Sequence, residues 1–409
     1  MNNKSNFSKY TILFTITYFV SYITRINYGA IISDMELSTG FSKSMLSMAL
    51  TGSFITYGTG QIISGICGDR IAPKKLISYG LIVTVLMNLL IPFCTNPYQM
   101  LAIWCVNGFA QAFMWPPLVK LMTILFTEDE YKRASARISM GSSLGTIVIY
   151  LLSPIIMSLA GWKSVFIFSA TCGTLMIFVW NLLCKDTDVS YQGDIQKVSS
   201  SKQISHDNTL TANSWRIFVQ PMMLCVMMVI VLQGMLRDGV TTWMPSFISE
   251  TYQMSHLIGI LTCVILPIFS IFCYQSASRL YRNKFKNPVL CSAFFFAVGC
   301  LSAFSLILLN GKTAALSVFC SAVLTGSMHG VNLLLICMIP PFFKNTGKVS
   351  TVSGVLNSCT YVGSAISTYG IALITEHFGW NATLLSWLII AFLGTILNLL
   401  AAYLWKCRK

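Results

Sequence analysis

The chain has 409 residues, 55% of them hydrophobic and only 10% charged, with a mean hydropathy of +0.69 and a net charge of +14. Soluble domains carry roughly 25% charged residues, so these charges could not coat a soluble protein of this length. A soluble enzyme or nucleic-acid-binding domain is excluded on that ground, and the cationic surplus has to be read from where it lies along the chain.

The apolar residues fall in stretches of about 20, each enough to cross a ~30 Å hydrocarbon layer as a helix. Backbone polar groups in lipid must be satisfied internally, which makes helices the spanning element. The short segments of alternating polarity that mark a membrane β-barrel are missing. The predicted spans are 10–32, 43–66, 75–94, 98–125, 136–159, 163–184, 217–247, 256–276, 288–309, 313–340, 350–374 and 381–405. The first is too long for a signal peptide's apolar region and lacks a small-residue cleavage site after it, so it is read as a span. Between the sixth and seventh lies a polar stretch with Lys185, Asp186, Asp188, a Ser199-Ser200-Ser201 run, His206 and Asp207. The expected fold is therefore an all-α membrane protein with twelve transmembrane helices in two six-helix halves. Residues 1–184 and 217–409 form the halves, and 185–216 a cytoplasmic linker.

Placing both termini in the cytoplasm leaves only Lys43, Lys163 and Lys312 outside, and Arg25, Lys120 and Arg237 within spans. Every other Lys and Arg falls inside, which is the positive-inside asymmetry. The 14 cysteines are scattered singly with no C-x-x-C pattern, so no metal, disulfide framework or cofactor is expected. No nucleophile–base constellation suggests an enzyme.

The halves repeat weakly. Gly108 and Gly326, Gly145 and Gly363, and the dipeptides Gly161-Trp162 and Gly379-Trp380 stand at one constant offset. Arg25 and Arg237, Arg70 and Arg282, and Lys74 and Lys286 stand at another. Parallel repeats of this kind place a transporter's site near the bilayer midplane, where the halves meet. Gly141 and Gly145 form a G-x-x-x-G step suited to close helix packing.

A charged residue at the centre of a span costs roughly 2.5–3.5 kcal/mol on insertion scales and usually faces a cavity. Arg25 and Arg237 occupy such positions, and two guanidinium forks suit a phosphate or carboxylate. Lys120 follows Trp115-Pro116-Pro117, where the prolines should kink the fourth span. It either adds to the positive field or snorkels to the inner edge. Few acids offset these cations. Asp238 follows Arg237 directly, but consecutive helical residues are not expected to face each other. Asp238 and His329 are the candidates for coupling protons. Tyr18, Tyr22 and Arg25, spaced i, i+4, i+7, share one helix face, and Tyr57, Trp115 and Tyr361 are further candidate lining residues.

The loop Gly65-Ile66-Cys67-Gly68-Asp69-Arg70-Ile71-Ala72-Pro73-Lys74-Lys75 matches the G-x-x-x-D-R-x-x-x-K-K loop of the major facilitator superfamily. Tyr18-x-x-x-Tyr22-x-x-Arg25, Tyr57-Gly58, Trp115-Pro116-Pro117, Leu236-Arg237-Asp238-Gly239, Trp243-Met244-Pro245 and Tyr361-Val362-Gly363 resemble that superfamily's organophosphate:phosphate antiporter branch. The resemblance implies that Arg25 and Arg237 bind the substrate's anionic group, that Tyr18, Tyr22, Tyr57, Trp115, Lys120, His329 and Tyr361 surround it, and that Asp69 and Arg70 latch the cytoplasmic ends in the outward-open state. Departures from the glycerol-phosphate members are Ile26 and Gln61 where they carry lysines, Ser142 where they carry a histidine, and His329 where they carry a tyrosine. The anion:cation symporter branch, which carries hexuronates, shares the general pattern of the first helix. The expected function is alternating-access transport of a small organic anion, a phosphate ester or carboxylate, across the plasma membrane. Exchange for inorganic phosphate or another anion, by a monomer, is the leading form. Proton-coupled symport of a hexuronate-like carboxylate is the alternative, and a non-transporting sensor of the same fold ranks below both.

Overall fold

The structure is a computed structural model and describes residues 2–184, 216–254 and 264–407. Apart from Arg216, the expected linker lies outside the described residues. Among the described residues the long elements are all helical and fall on the twelve expected spans. They are α1 (Asn2–Ala30), α2 (Lys43–Arg70), α3 (Pro73–Leu90), α4 (Pro97–Gln111 and Trp115–Leu125), α5 (Glu128–Ala160) and α6 (Trp162–Leu183), then α7 (Pro221–Tyr252), α8 (Ile265–Asn283), α9 (Pro288–Leu309), α10 (Ala314–Asn332), α11 (349–378) and α12 (380–407). By length and hydropathy alone, α3, α5, α6, α7, α9, α10 and α12 each qualify to cross a membrane. α4 does not, because its break leaves pieces of 15 and 11 residues.

Two compact units form. One comprises Met1–Lys197 with Pro340–Ser358, the other Val198–Ile339 with Cys359–Lys409.

The prolines of α4 do more than kink it. In a continuous helix the carbonyls of Ala112 and Phe113 would accept from residues 116 and 117, but proline has no N–H to give. The helix stops at Gln111 and passes through tighter bonds from Phe113 N to Ala110 O (3.1 Å) and Met114 N to Gln111 O (3.2 Å). It restarts at Trp115 with prolines in the first turn, where an N–H is not needed. α10 also departs from a single regular span. It passes into a π-helical turn over Leu333–Cys337, and Pro340–Thr346 is 3-10 helical.

The sequence repeat has a backbone counterpart. Gly161 separates α5 from α6 at φ 73°, ψ 174°, and Gly379 separates α11 from α12 at φ 74°, ψ −179°. That region is open essentially to glycine alone. The glycine step of α5 packs on α1 inside the first unit. A Cβ on Gly141 would sit 2.7 Å from the Thr15 carbonyl oxygen, and one on Gly145 would sit 2.6 Å from that of Phe19. In the second unit Gly363 meets the Val231 carbonyl of α7 in the corresponding way.

A buried amide network sets the rotation of α1. Asn27 donates to Asn88 Oδ1 (2.7 Å), Asn88 to the Thr24 carbonyl (3.0 Å) and Gln111 to Thr24 Oγ1 (2.9 Å). Interhelical hydrogen bonds of this type hold helices together where lipid offers no hydrophobic drive. Below them Ile23, Tyr28, Trp104 and Phe166 form an apolar core. With Thr24 and Asn27 committed to α3 and α4, the face bearing Tyr18, Tyr22 and Arg25 turns elsewhere.

Candidate functional site

In the first unit that face meets α2 and the second piece of α4. The Arg25 guanidinium lies between two rings, with its carbon 4.5 Å from the Tyr22 centroid and 4.6 Å from that of Tyr57. Tyr18 continues the cluster, 5.2 Å from Tyr22 and 4.9 Å from Trp115 between ring centroids. Five sequence-singled residues are thus brought together. Aromatic faces stabilise a cation by about 0.5–2 kcal/mol, the more so the less water reaches it. Lys120 is buried one turn beyond the break in α4, and its charge acts on Asp69.

Asp69 ends α2 and caps the start of α11. Its carboxylate accepts from Ser350 N–H (2.9 Å), Thr351 N–H (2.8 Å) and the Thr351 hydroxyl (2.6 Å). The first N–H groups of a helix have no internal partner, and the helix dipole favours an anion there. Burial raises the Asp69 pKa, while these bonds and Lys120 act against the rise. Glycines permit the approach. A Cβ on Gly65 would lie 2.8 Å from the Ser350 carbonyl oxygen and 3.3 Å from Gly354 Cα. Arg70, beside Asp69, is exposed.

Gln61, where the resemblance led to a lysine, is fully buried and serves the broken helix. Its Nε2 donates to the Ala112 carbonyl (3.3 Å), the group that Pro116 leaves without its helical donor, and its Oε1 accepts from Asn357 Nδ2 (3.0 Å). Ser142 is buried and turns back to the Ser139 carbonyl (2.6 Å).

In the second unit Arg237 and Asp238 do face each other, against the expectation for consecutive helical residues. Arg237 Nε donates to Asp238 Oδ1 (2.6 Å) and Nη2 to Oδ2 (2.8 Å). The long guanidinium stem wraps around the helix, because in a half-buried setting a carboxylate is the strongest acceptor within reach. Ser364 of α11 donates its hydroxyl to Oδ2 of the same carboxylate. His329 of α10 lies within electrostatic range of both members of the pair, and its Nδ1 shares a hydrogen bond with the Tyr274 hydroxyl of α8 (3.0 Å). Tyr361 is buried one helical turn before Ser364. Ser364, Tyr274, Ser350, Thr351 and Asn357 were not singled out from the sequence. Single hydroxyls and amides on helices are common, and only the tertiary contacts distinguish these.

The sequence profile of the Major Facilitator Superfamily matches residues 14–368. A probable hexose phosphate transport protein of Chlamydia muridarum is 22% identical over 95% of this chain and 88% of its own. The glycerol-3-phosphate transporter of Bacillus subtilis is 23% identical over 88% of this chain and 84% of its own. Among solved structures, the proton:xylose symporter XylE superposes with a TM-score of 0.76 at 11% identity, over 99% of this chain and 96% of that one.

Proposed function

The chain belongs to the Major Facilitator Superfamily, a family of transporters, and from that membership we propose that it moves a small organic anion across the cell membrane by alternating access. Arg25 and Arg237 each bind part of the anionic group, with Tyr18, Tyr22, Tyr57 and Trp115 around the first and Tyr361 and His329 near the second. The observation that carries this reading is the setting of Arg25. The Arg25 guanidinium lies between two tyrosine faces, which stabilise it as a cation within an apolar helix. An ionisable side chain within a span usually marks function. Relatives that carry phosphate esters support exchange against inorganic phosphate or a second anion as the leading mode.

Asp69 latches α2 to the start of α11, with both termini in the cytoplasm. The two six-helix halves, residues 1–184 and 217–409, are the bodies that rock, and the protein acts as a monomer. Proton-coupled symport of a carboxylate is a second reading, favoured by the acid and the histidine gathered at Arg237.

Counterflow in proteoliposomes tests this. Vesicles are loaded in turn with phosphate, glycerol-3-phosphate, a hexose 6-phosphate and a hexuronate, and labelled anion entry is followed without a proton gradient. Entry that requires internal anion is expected for exchange. Entry of hexuronate only under an imposed proton gradient selects the symport reading. Binding with no flux in either format overturns both and leaves a sensor of the same fold.

A further inference from the structure

Gln61 stands where α2 meets both α4 and α11. Its side chain is buried, and the two ends of its amide serve different neighbours. Nε2 donates to the Ala112 carbonyl at the break in α4 (3.3 Å), and Oε1 accepts from Asn357 Nδ2 of α11 (3.0 Å). A carbonyl can only accept, so the amide must present Nε2 to Ala112, and Asn357 holds the other end with a donated N–H. Both neighbours press on α2 at this level. A Cβ on Gly60 would sit 2.8 Å from the Ala112 Cβ, and one on Gly354 would overlap the Gln61 carbonyl oxygen. What Gln61 holds lies beside the Arg25 cluster. Trp115 opens the second piece of α4 just after the break, and its ring packs on Tyr18 with centroids 4.9 Å apart. Tyr57, whose ring lies on the Arg25 guanidinium, is one turn before Gln61 on the same face of α2. Between the pieces of α4 the backbone is tied by tight-turn bonds from Phe113 and Met114, so the course on which Trp115 sets out depends on the donor that α2 supplies.

We propose that Gln61 is a positioning residue for the anion site: by holding the Ala112 carbonyl it seats Trp115 and Tyr18 beside Arg25, and by accepting from Asn357 it makes that seating depend on α11 staying against α2. The inference rests on the reading that the cluster around Arg25 binds the anion. Gln61 acts through Ala112 and Trp115, so its loss changes how tightly the anion is held and leaves the cationic group in place. Alternating access requires helices on one side of the site to part. When α11 leaves α2, the Gln61 amide loses the donor that holds its Oε1 end, the break in α4 relaxes, and the rings around Arg25 loosen. Departure of α11 and release of the anion are linked through one side chain.

The test uses full-length protein in proteoliposomes, with labelled phosphate, glycerol-3-phosphate, glucose 6-phosphate and glucuronate titrated in turn. Half-saturation and maximal rate are read separately, the rate normalised to protein that elutes as a single folded species. Gln61→Leu is expected to raise half-saturation by about tenfold, with the maximal rate changed by less than about threefold. That split marks lost binding. A residue that served the fold alone would lower the maximal rate through loss of active carrier and leave half-saturation where it was. Asn357→Ala keeps Gln61 but frees its Oε1 end, and should move half-saturation the same way by a smaller factor. It is the deciding variant if Gln61→Leu does not yield folded protein. Thr351→Val weakens the contact of the same two helices away from Gln61 and should leave half-saturation within about twofold. Unchanged half-saturation in the folded Gln61 and Asn357 variants overturns the proposal, and so does an equal rise in Thr351→Val. Arg25→Gln separates the two levels. Loss of uptake in Arg25→Gln, with Gln61→Leu and Asn357→Ala titrating as wild type, removes only the positioning role. Wild-type titration in Arg25→Gln, or saturable uptake of none of the four anions by wild type, removes the site reading as well.

Discussion

Thr351 meets the Asp69 carboxylate twice, through its backbone N–H at 2.8 Å and its hydroxyl at 2.6 Å, so the last acid of α2 is the N-terminal cap of α11. A side chain from one helix satisfies the open end of another, and the two can separate only by exposing those donors together. Asp69→Ala leaves the Thr351 hydroxyl and the N–H groups of Ser350 and Thr351 without their acceptor. A loss of about 1–3 kcal/mol is expected, in the range for stranded donors and lost caps. Thr351→Val, which removes one of the three bonds, should cost less. Thermal unfolding of the purified variants orders the two, and equal losses would show that the hydroxyl carries the cap alone.

Arg25→Lys should reduce transport by one to three orders of magnitude with little effect on folding. Lysine retains the charge, but an ammonium lacks the planar fork that stacks on Tyr22 and Tyr57 while presenting paired donors. Initial uptake rates, normalised to protein that elutes as a single folded species, decide this. Full activity in Arg25→Lys would remove the anion-binding role assigned to that side chain.

Gln61→Leu should destabilise the first unit by about 1–3 kcal/mol, because the Ala112 carbonyl and the Asn357 amide both lose a partner in a buried place. The loss should shrink when Pro116→Ala is added, since residue 116 then regains the N–H that can serve Ala112. A double-mutant cycle of melting temperatures measures that coupling, and strict additivity would rule out the link between Gln61 and the break in α4.

Gly145 inside α5 and Gly161 just after it should fail on substitution for two different reasons. Gly145→Ala places a methyl group 2.6 Å from the Phe19 carbonyl oxygen, a backbone atom that cannot swing away. Overpacking of this kind costs about 1–3 kcal/mol. Gly161→Ala meets nothing within 4 Å, yet φ 73° with ψ 174° strains any side-chain-bearing residue by an amount of the same order, about 1–3 kcal/mol. Thr15→Ala leaves the backbone in place and should rescue neither. Phe19→Ala likewise leaves that carbonyl where it is and should not rescue Gly145→Ala, and melting temperatures of the purified variants check both losses.

Apolar runs were enough to read twelve helices of a membrane protein, because a bilayer imposes length and hydropathy locally on each segment. Arg25 and Arg237 stand out as candidates for the same reason: a guanidinium in an apolar run is costly wherever the rest of the chain goes. Which groups answer those charges depends on residues far apart in sequence, such as Asp238 with Ser364 or Asp69 with Thr351, whose partners are ordinary hydroxyls with no local mark. Helix spacing even argued against Arg237 meeting Asp238, since it describes where Cβ atoms point and not how far a long side chain can bend toward the nearest opposite charge in a partly dry setting. Pro116-Pro117 announced a distortion, but a kink and a break differ only in whether another helix supplies a donor for the stranded carbonyl. Gln61 supplies it, and that was decided by tertiary packing.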